Sequence, residues 1–191
     1  MRKQIHFMVG ILLLISTSLT NTNKAKEQYL YIGAIPDQNP EKLNRRYKLL
    51  SAELSKSLGV PVKYIPVTNY AASVTAFRTG NLDLVWFGGL TGVQARLQSK
   101  GAIVLAQRDI DSKFTSVFIA NNESGIKKIN SISGLKQLKG KRFTFGSESS
   151  TSGRLMPQYF LKKAGINTTD FKGGRAGFSG SHDATIFLIQ S

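Results

Sequence analysis

Short apolar runs alternate with segments of helical period along most of this chain. Residues 29–35 (Tyr-Leu-Tyr-Ile-Gly-Ala-Ile) form a strand-like run, stopped by Pro36 to Pro40. From Leu43 to Leu58 the apolar positions Tyr47, Leu49, Leu50, Leu54 and Leu58 follow helical spacing, and Gly59 closes the segment. A second strand is expected over 60–67, with Pro61 and Pro66 suited to a sheet edge or a strand end. A helix follows over 69–78 and ends at Gly80. Then come a strand over 82–87, stopped by Gly88-Gly89, a helix over 91–98, and a strand over 103–106. This βαβαβαβ order predicts an α/β fold with a mostly parallel sheet covered by helices.

The pattern restarts near residues 111–114. A strand is expected over 116–120, a short helix over 133–138 and a strand over 141–145. A hydroxyl-rich turn then opens a helix that runs to Gly165. Residues 171–178 suggest a further strand with a glycine-rich start, and 181–190 the start of a helix, with Ser181 or Asp183 near its cap. The restart divides the mature chain into a first lobe, 26–111, and a second, 112–191. The last helix keeps its apolar period at Ala184, Ile186, Phe187, Leu188 and Ile189 with no closing cap. The expectation is therefore an incomplete second lobe; a frayed terminal helix of a short protein is the alternative.

Composition narrows the chemistry. Of 191 residues, 41% are hydrophobic and 19% charged, which fits a globular chain. There is no cysteine, so disulfides, thiolate metal sites and thiol catalysis are excluded. There are two histidines, His6 and His182, so a His-rich metal centre is excluded as well. No metal and no cofactor is expected. Residues 1–25 have the layout of an export signal: Arg2 and Lys3, a short apolar core over 9–15, then small polar residues. That core is shorter than the ~20 residues a membrane span needs. A buried strand or an uncleaved anchor is the alternative.

The net charge of +15 raises nucleic acid as a partner. The basic residues are scattered, however. No run exceeds two, and no aromatic side chains interleave with them in a stacking pattern. A solvated basic surface in an exported protein accounts for the charge, and no nucleic-acid partner is expected.

The densest candidate chemistry lies in Ser147-Glu148-Ser149-Ser150-Thr151-Ser152-Gly153, between a strand and a helix. The first turn of a helix offers unpaired N–H groups and the positive end of its dipole. Hydroxyls placed there add donors for an oxyanion, with Gly153 allowing a close backbone approach. An N-cap with spare serines explains the same residues, and the local pattern does not choose between the two. His182 occupies another strand-to-helix junction. Tyr70 and Phe87 lie at C-terminal strand ends, where open α/β sheets bind ligands. Asp37 lies at the same edge, and because its charge would repel an anion no role is assigned to it. Catalysis has little support. No G-x-S-x-G elbow is present, and Asp183, adjacent to His182 on a helix, points elsewhere.

Several segments together resemble the periplasmic substrate-binding proteins of ABC transporters for phosphate, phosphite and phosphonate. They are Ala34 to Pro40, Pro66 to Ala72, Leu82 to Gly89, Val93 to Arg96, Gln107 to Asp109, Ser149 to Gly153 with Leu155-Met156-Pro157, and Phe178 to Thr185. Within that group the chain is most similar to a branch associated with selenate. The resemblance implies a type II periplasmic binding fold whose two lobes close on a small oxyanion, and delivery of that anion to an inner-membrane permease. It implies a periplasmic, monomeric binding protein and no enzyme. It places Ser150, Thr151 and Ser152 on the anion's oxygens, with His182 and Tyr70. It also places an aromatic at Phe87, often tyrosine in phosphonate binders, so one hydroxyl donor is lost here. Family members carry further chain beyond this length. A sensory binding domain of the same fold and a periplasmic phosphoester hydrolase are the competing readings.

Overall fold

The computed structural model describes residues 28–190; the expected export signal lies outside the described residues. Strand β1 (Leu30–Ala34) leads into helix α1 (Pro40–Leu58), then β2 (Val62–Tyr64), α2 (Tyr70–Arg78), β3 (Leu84–Trp86) and α3 (Gly89–Gln98). The three strands form one parallel sheet in the order β2-β1-β3, with Ile32 opposite both Tyr64 and Leu84. Strand β2 lies at the edge, where the flanking Pro61 and Pro66 cost no ladder bonds.

Helix α1 is delimited by its own residues. The Asn39 side chain accepts the Glu41 and Lys42 backbone N–H groups, at 2.9 and 3.3 Å. Pro40 occupies the first turn, where its missing N–H is not needed. Gly59 turns left-handed at φ 69° and donates to the Ser55 carbonyl at 3.0 Å. The helix buries Leu43 and Tyr47 against Ala34, Tyr64 and Trp86, and the Tyr47 and Tyr64 rings stack at 4.8 Å.

The second half is built around β4 (Thr144–Phe145) and β5 (Gly177–Phe178), a short parallel pair. Between them lie a π-helical turn (Thr151–Leu155) and helix α4 (Met156–Lys163); α5 (His182–Gln190) follows β5. A separate core of Leu135, Leu138, Phe145, Leu161, Ala164, Ile166 and Phe171 holds this half together. The Phe143 ring stacks on Phe171 at 4.4 Å.

Three expectations are corrected. Residues 103–106 and 116–120 form no strand. Both runs are apolar, yet Val104 and Val117 are 65% and 77% exposed, because no described strand pairs with them. A strand needs a neighbour's N–H and C=O groups, which an apolar run does not itself provide. The expected strand over 171–178 shrinks to Gly177–Phe178, because Gly173 and Gly174 take positive φ and 3₁₀ turns occupy the start. No described helix is long and apolar enough to cross a membrane.

Candidate functional site

Residues just past the C-terminal strand ends of both parallel sheets, the usual ligand position in open α/β sheets, meet along the gap between the two halves. Four contacts cross it. The Leu90 backbone N–H donates to Thr151 Oγ1 at 2.7 Å. The His182 N–H donates to the Asp37 carbonyl at 3.0 Å. The Asn39 N–H donates to Asp183 Oδ2 at 2.8 Å. The Tyr70 phenol lies beside the Ser150 hydroxyl.

The hydroxyl turn owes its shape to two glycines and a proline. Gly146, directly after β4, donates its N–H to the Gly153 carbonyl at 2.8 Å. A Cβ on Gly146 would lie 3.3 Å from Gly153 Cα, so the two backbones pass in direct contact. Gly153 therefore permits a close approach to the neighbouring strand end. Ser150 takes the cap position, and its Oγ accepts the Gly153 N–H at 2.9 Å. The next turn is wide, with the Leu155 N–H reaching the Ser150 carbonyl five residues back at 3.0 Å. Pro157 then sits in the first turn of α4 without needing an N–H partner.

The cap and the hydroxyl cluster thus coexist, because the three hydroxyls are committed differently. Ser150 is buried and caps its own helix while meeting Tyr70. Thr151 Oγ1 accepts from Leu90, which leaves its own proton free to be donated to a third group. Gly89 makes room for that contact: a Cβ there would lie 3.1 Å from Thr151 Oγ1. Ser152 Oγ lies 3.4 Å from His182 Nε2. Five of the six expected site residues, Tyr70, Ser150, Thr151, Ser152 and His182, are therefore linked to one another or to the gap's edges. Phe87 precedes the Gly88–Leu90 segment, but its ring packs edge-on against Phe77 at 5.7 Å.

The residue that sequence reasoning set aside is Asp37. Its carboxyl is pushed above the ordinary carboxylate range by burial, against the pull of His182, its own backbone N–H, Arg46 and Arg108. It acts on the tyrosines around it. Burial first and the Asp37 charge second raise the Tyr70 phenol well above its ordinary value. Burial, Asp37 and Tyr64 push the Tyr47 phenol up to about 12. Both phenols are neutral hydrogen-bonding groups at any physiological pH. The signal that pointed to Asp37 was its place at the end of β1. Asp183 points away from His182, toward Asn39. Ser181, not Asp183, caps α5, accepting the Ala184 N–H at 3.2 Å.

Among the described residues no group of three or more His, Asp or Glu side chains is placed to hold a metal. Two open depressions, of about 420 Å³ between α1 and β2 and about 500 Å³ beside α1, contain none of the expected site residues. Both are open surface concavities along α1, lined by residues of α1 and, in the first, of β2.

Known proteins share the sequence and the fold. The family model described as "ABC transporter, phosphonate, periplasmic substrate-binding protein" matches residues 32–191. A probable ABC transporter phosphite binding protein, PhnD1, from Prochlorococcus marinus (strain MIT 9301) is 59% identical over 97% of this chain and 62% of its own length. The phosphonates-binding periplasmic protein of Escherichia coli (strain K12) is 28% identical over 83% of this chain and 47% of its own. The structure of PhnD1 from P. marinus in complex with methylphosphonate superposes with a TM-score of 0.84 at 63% identity, covering 86% of this chain and 60% of that one. The chain thus spans about three-fifths of the length of PhnD1. The fold is that of a type II periplasmic binding protein. The chain belongs to the periplasmic phosphonate substrate-binding family of ABC transporters.

Proposed function

We propose that this protein captures a small phosphorus oxyanion, phosphite or a phosphonate, in the periplasm and delivers it to an ABC permease. The observation that carries this reading is Thr151. Its hydroxyl accepts a bond from one side of the gap and keeps its proton for a ligand. An acceptor-rich anion satisfies such a donor without loss. Ser150 and Ser152 stand beside it in the first turn of a helix, with His182 and Tyr70 completing a set of neutral or cationic donors. The two lobes, 26–111 and 112–191, would close on the ligand by hinge motion, and the protein would act as a monomer. Ser152 and His182 stand within reach of each other, but among the described residues no carboxylate is hydrogen-bonded to the imidazole, since Asp183 turns to Asn39; without that third member of a hydrolase triad, binding without chemistry is the function that fits. PhnD1 forms a complex with methylphosphonate, which makes that anion the first compound to test here.

Calorimetric titration of the full-length protein with methylphosphonate, phosphite, phosphate, selenate and sulfate tests the proposal. Methylphosphonate or phosphite is expected to bind tightest. Thr151→Ala and His182→Ala should each weaken that ligand by about tenfold or more, the loss of one hydrogen bond to a charged group. Failure of all five anions to bind overturns the capture reading. Wild-type affinity in both variants overturns the assignment of the site.

A further inference from the structure

The hydroxyl turn and His182 supply donors to the gap, whereas Asp183, the next residue, is an acceptor that reaches across it. Its Oδ2 takes the backbone N–H of Asn39 at 2.8 Å. Asn39 caps α1, and its side chain is already committed to the Glu41 and Lys42 N–H groups. The cap residue's own N–H then needs a partner from elsewhere. Within a single helix that partner is often a Glu or Gln three residues on. Here the third residue on is Lys42, and a carboxylate from the other half of the molecule takes the place. Beside it, the Asp37 carbonyl accepts the His182 N–H at 3.0 Å. The segment 37–39 therefore grips the first two residues of α5 at adjacent points. The Asp183 carboxylate lies in the first turn of α5 and against the start of α1.

We propose that Asp183 is a positioning residue for anion capture: its carboxylate clasps the start of α1 and thereby holds His182 beside Ser152 when the gap is closed. The inference rests on the reading of the gap as an anion site. Asp183 acts through its neighbour, because its own charge would repel the ligand. The bond joins two halves of the molecule that must separate to release an anion. It therefore slows release and leaves entry unchanged.

Stopped-flow kinetics with methylphosphonate on the full-length protein provide the test, with Asp183→Ala and Asp183→Asn compared with wild type. The Ala variant should release methylphosphonate about tenfold faster, with an unchanged association rate constant and little change in Tm. The Asn variant retains an oxygen that accepts the same N–H, and should stay within about threefold of wild type. A wild-type release rate in the Ala variant overturns the clasp and leaves the anion site standing. Absence of methylphosphonate binding by the wild type overturns the anion site and the clasp with it. An Asn variant no better than Ala also overturns the clasp, since geometry would then not be what Asp183 supplies. Should the Ala variant fail to fold, Asp183→Ser replaces it. Serine suits a helix start but is too short to span the gap, and an unchanged release rate there overturns the clasp equally.

Discussion

Asp37 places a carboxyl beside the proposed anion site, and its energetics have a definite sign. Burial raises its folded pKa above the ordinary value of 3.8. The folded protein therefore holds that proton more tightly than the unfolded chain. Stability contributed by this group is greatest below the unfolded value and is lost as pH rises through the raised folded value. Asp37→Asn removes the loss while keeping the backbone carbonyl that His182 uses. Its Tm should exceed that of wild type at about pH 7 and match it at about pH 3, where both side chains are neutral. The same variant should bind methylphosphonate more tightly at about pH 7, because a like charge is gone; a weaker complex in titration would mean that Asp37 supports the site by contact instead. Gly153 gives a second expectation at this scale. A Cβ there would lie 3.0 Å from Ser150 Oγ and 3.3 Å from Gly146 Cα. Backbone on one side and a committed cap on the other leave little room to relax. Gly153→Ala should cost about 1–3 kcal/mol in urea unfolding and disturb the hydroxyl turn. An unchanged midpoint would show that the turn opens freely.

Helices and strands differed in how much of them the sequence exposed. The C-terminal end of α1 was legible through Gly59, whereas its start was read at Leu43, three residues late, although a capping Asn39 and Pro40 in the first turn are equally local signals. Asn39→Ala should therefore cost about 1 kcal/mol in denaturant unfolding. It leaves the Asn39 N–H in place for Asp183, so the release rate of methylphosphonate should change less than stability does. A variant that loses both equally would place the cap side chain in the clasp itself. Strands carry no such self-contained signal. The run 103–106 looked like a strand because it is apolar, but strand formation depends on a neighbour that no composition reveals. The hydroxyl turn was half legible. Its residue types and its strand-to-helix position were visible, and the two readings of cap and cradle were both visible. That Ser150 caps while Thr151 meets Leu90 across the gap and Ser152 meets His182 on its own side depends on a wide turn and on a Gly146–Gly153 contact. Neither has a spacing rule.

At the scale of the whole molecule the net charge of +15, to which Arg2, Lys3 and Lys24 of the expected export signal contribute, would acquire a use with the proposed anionic ligand. Scattered lysines and arginines build no nucleic-acid stripe, but their summed field draws a small anion toward any opening. Such a field acts over roughly 10 Å at 0.1 M salt and about three times farther at 0.01 M. The two halves, by contrast, are joined by short contacts: Leu90 to Thr151 at 2.7 Å and Asn39 to Asp183 at 2.8 Å. Salt screens bonds at that range far less than it screens the approach. The association rate constant for methylphosphonate should therefore fall several-fold between about 0.01 M and about 0.15 M salt, while the dissociation rate constant stays nearly level. Stopped-flow kinetics at a series of salt concentrations separate the two rates. An association rate indifferent to salt would make the basic surface irrelevant to capture. A dissociation rate that climbs with salt would mean that screened surface charge, and not the hydrogen bonds across the gap, keeps the anion in place.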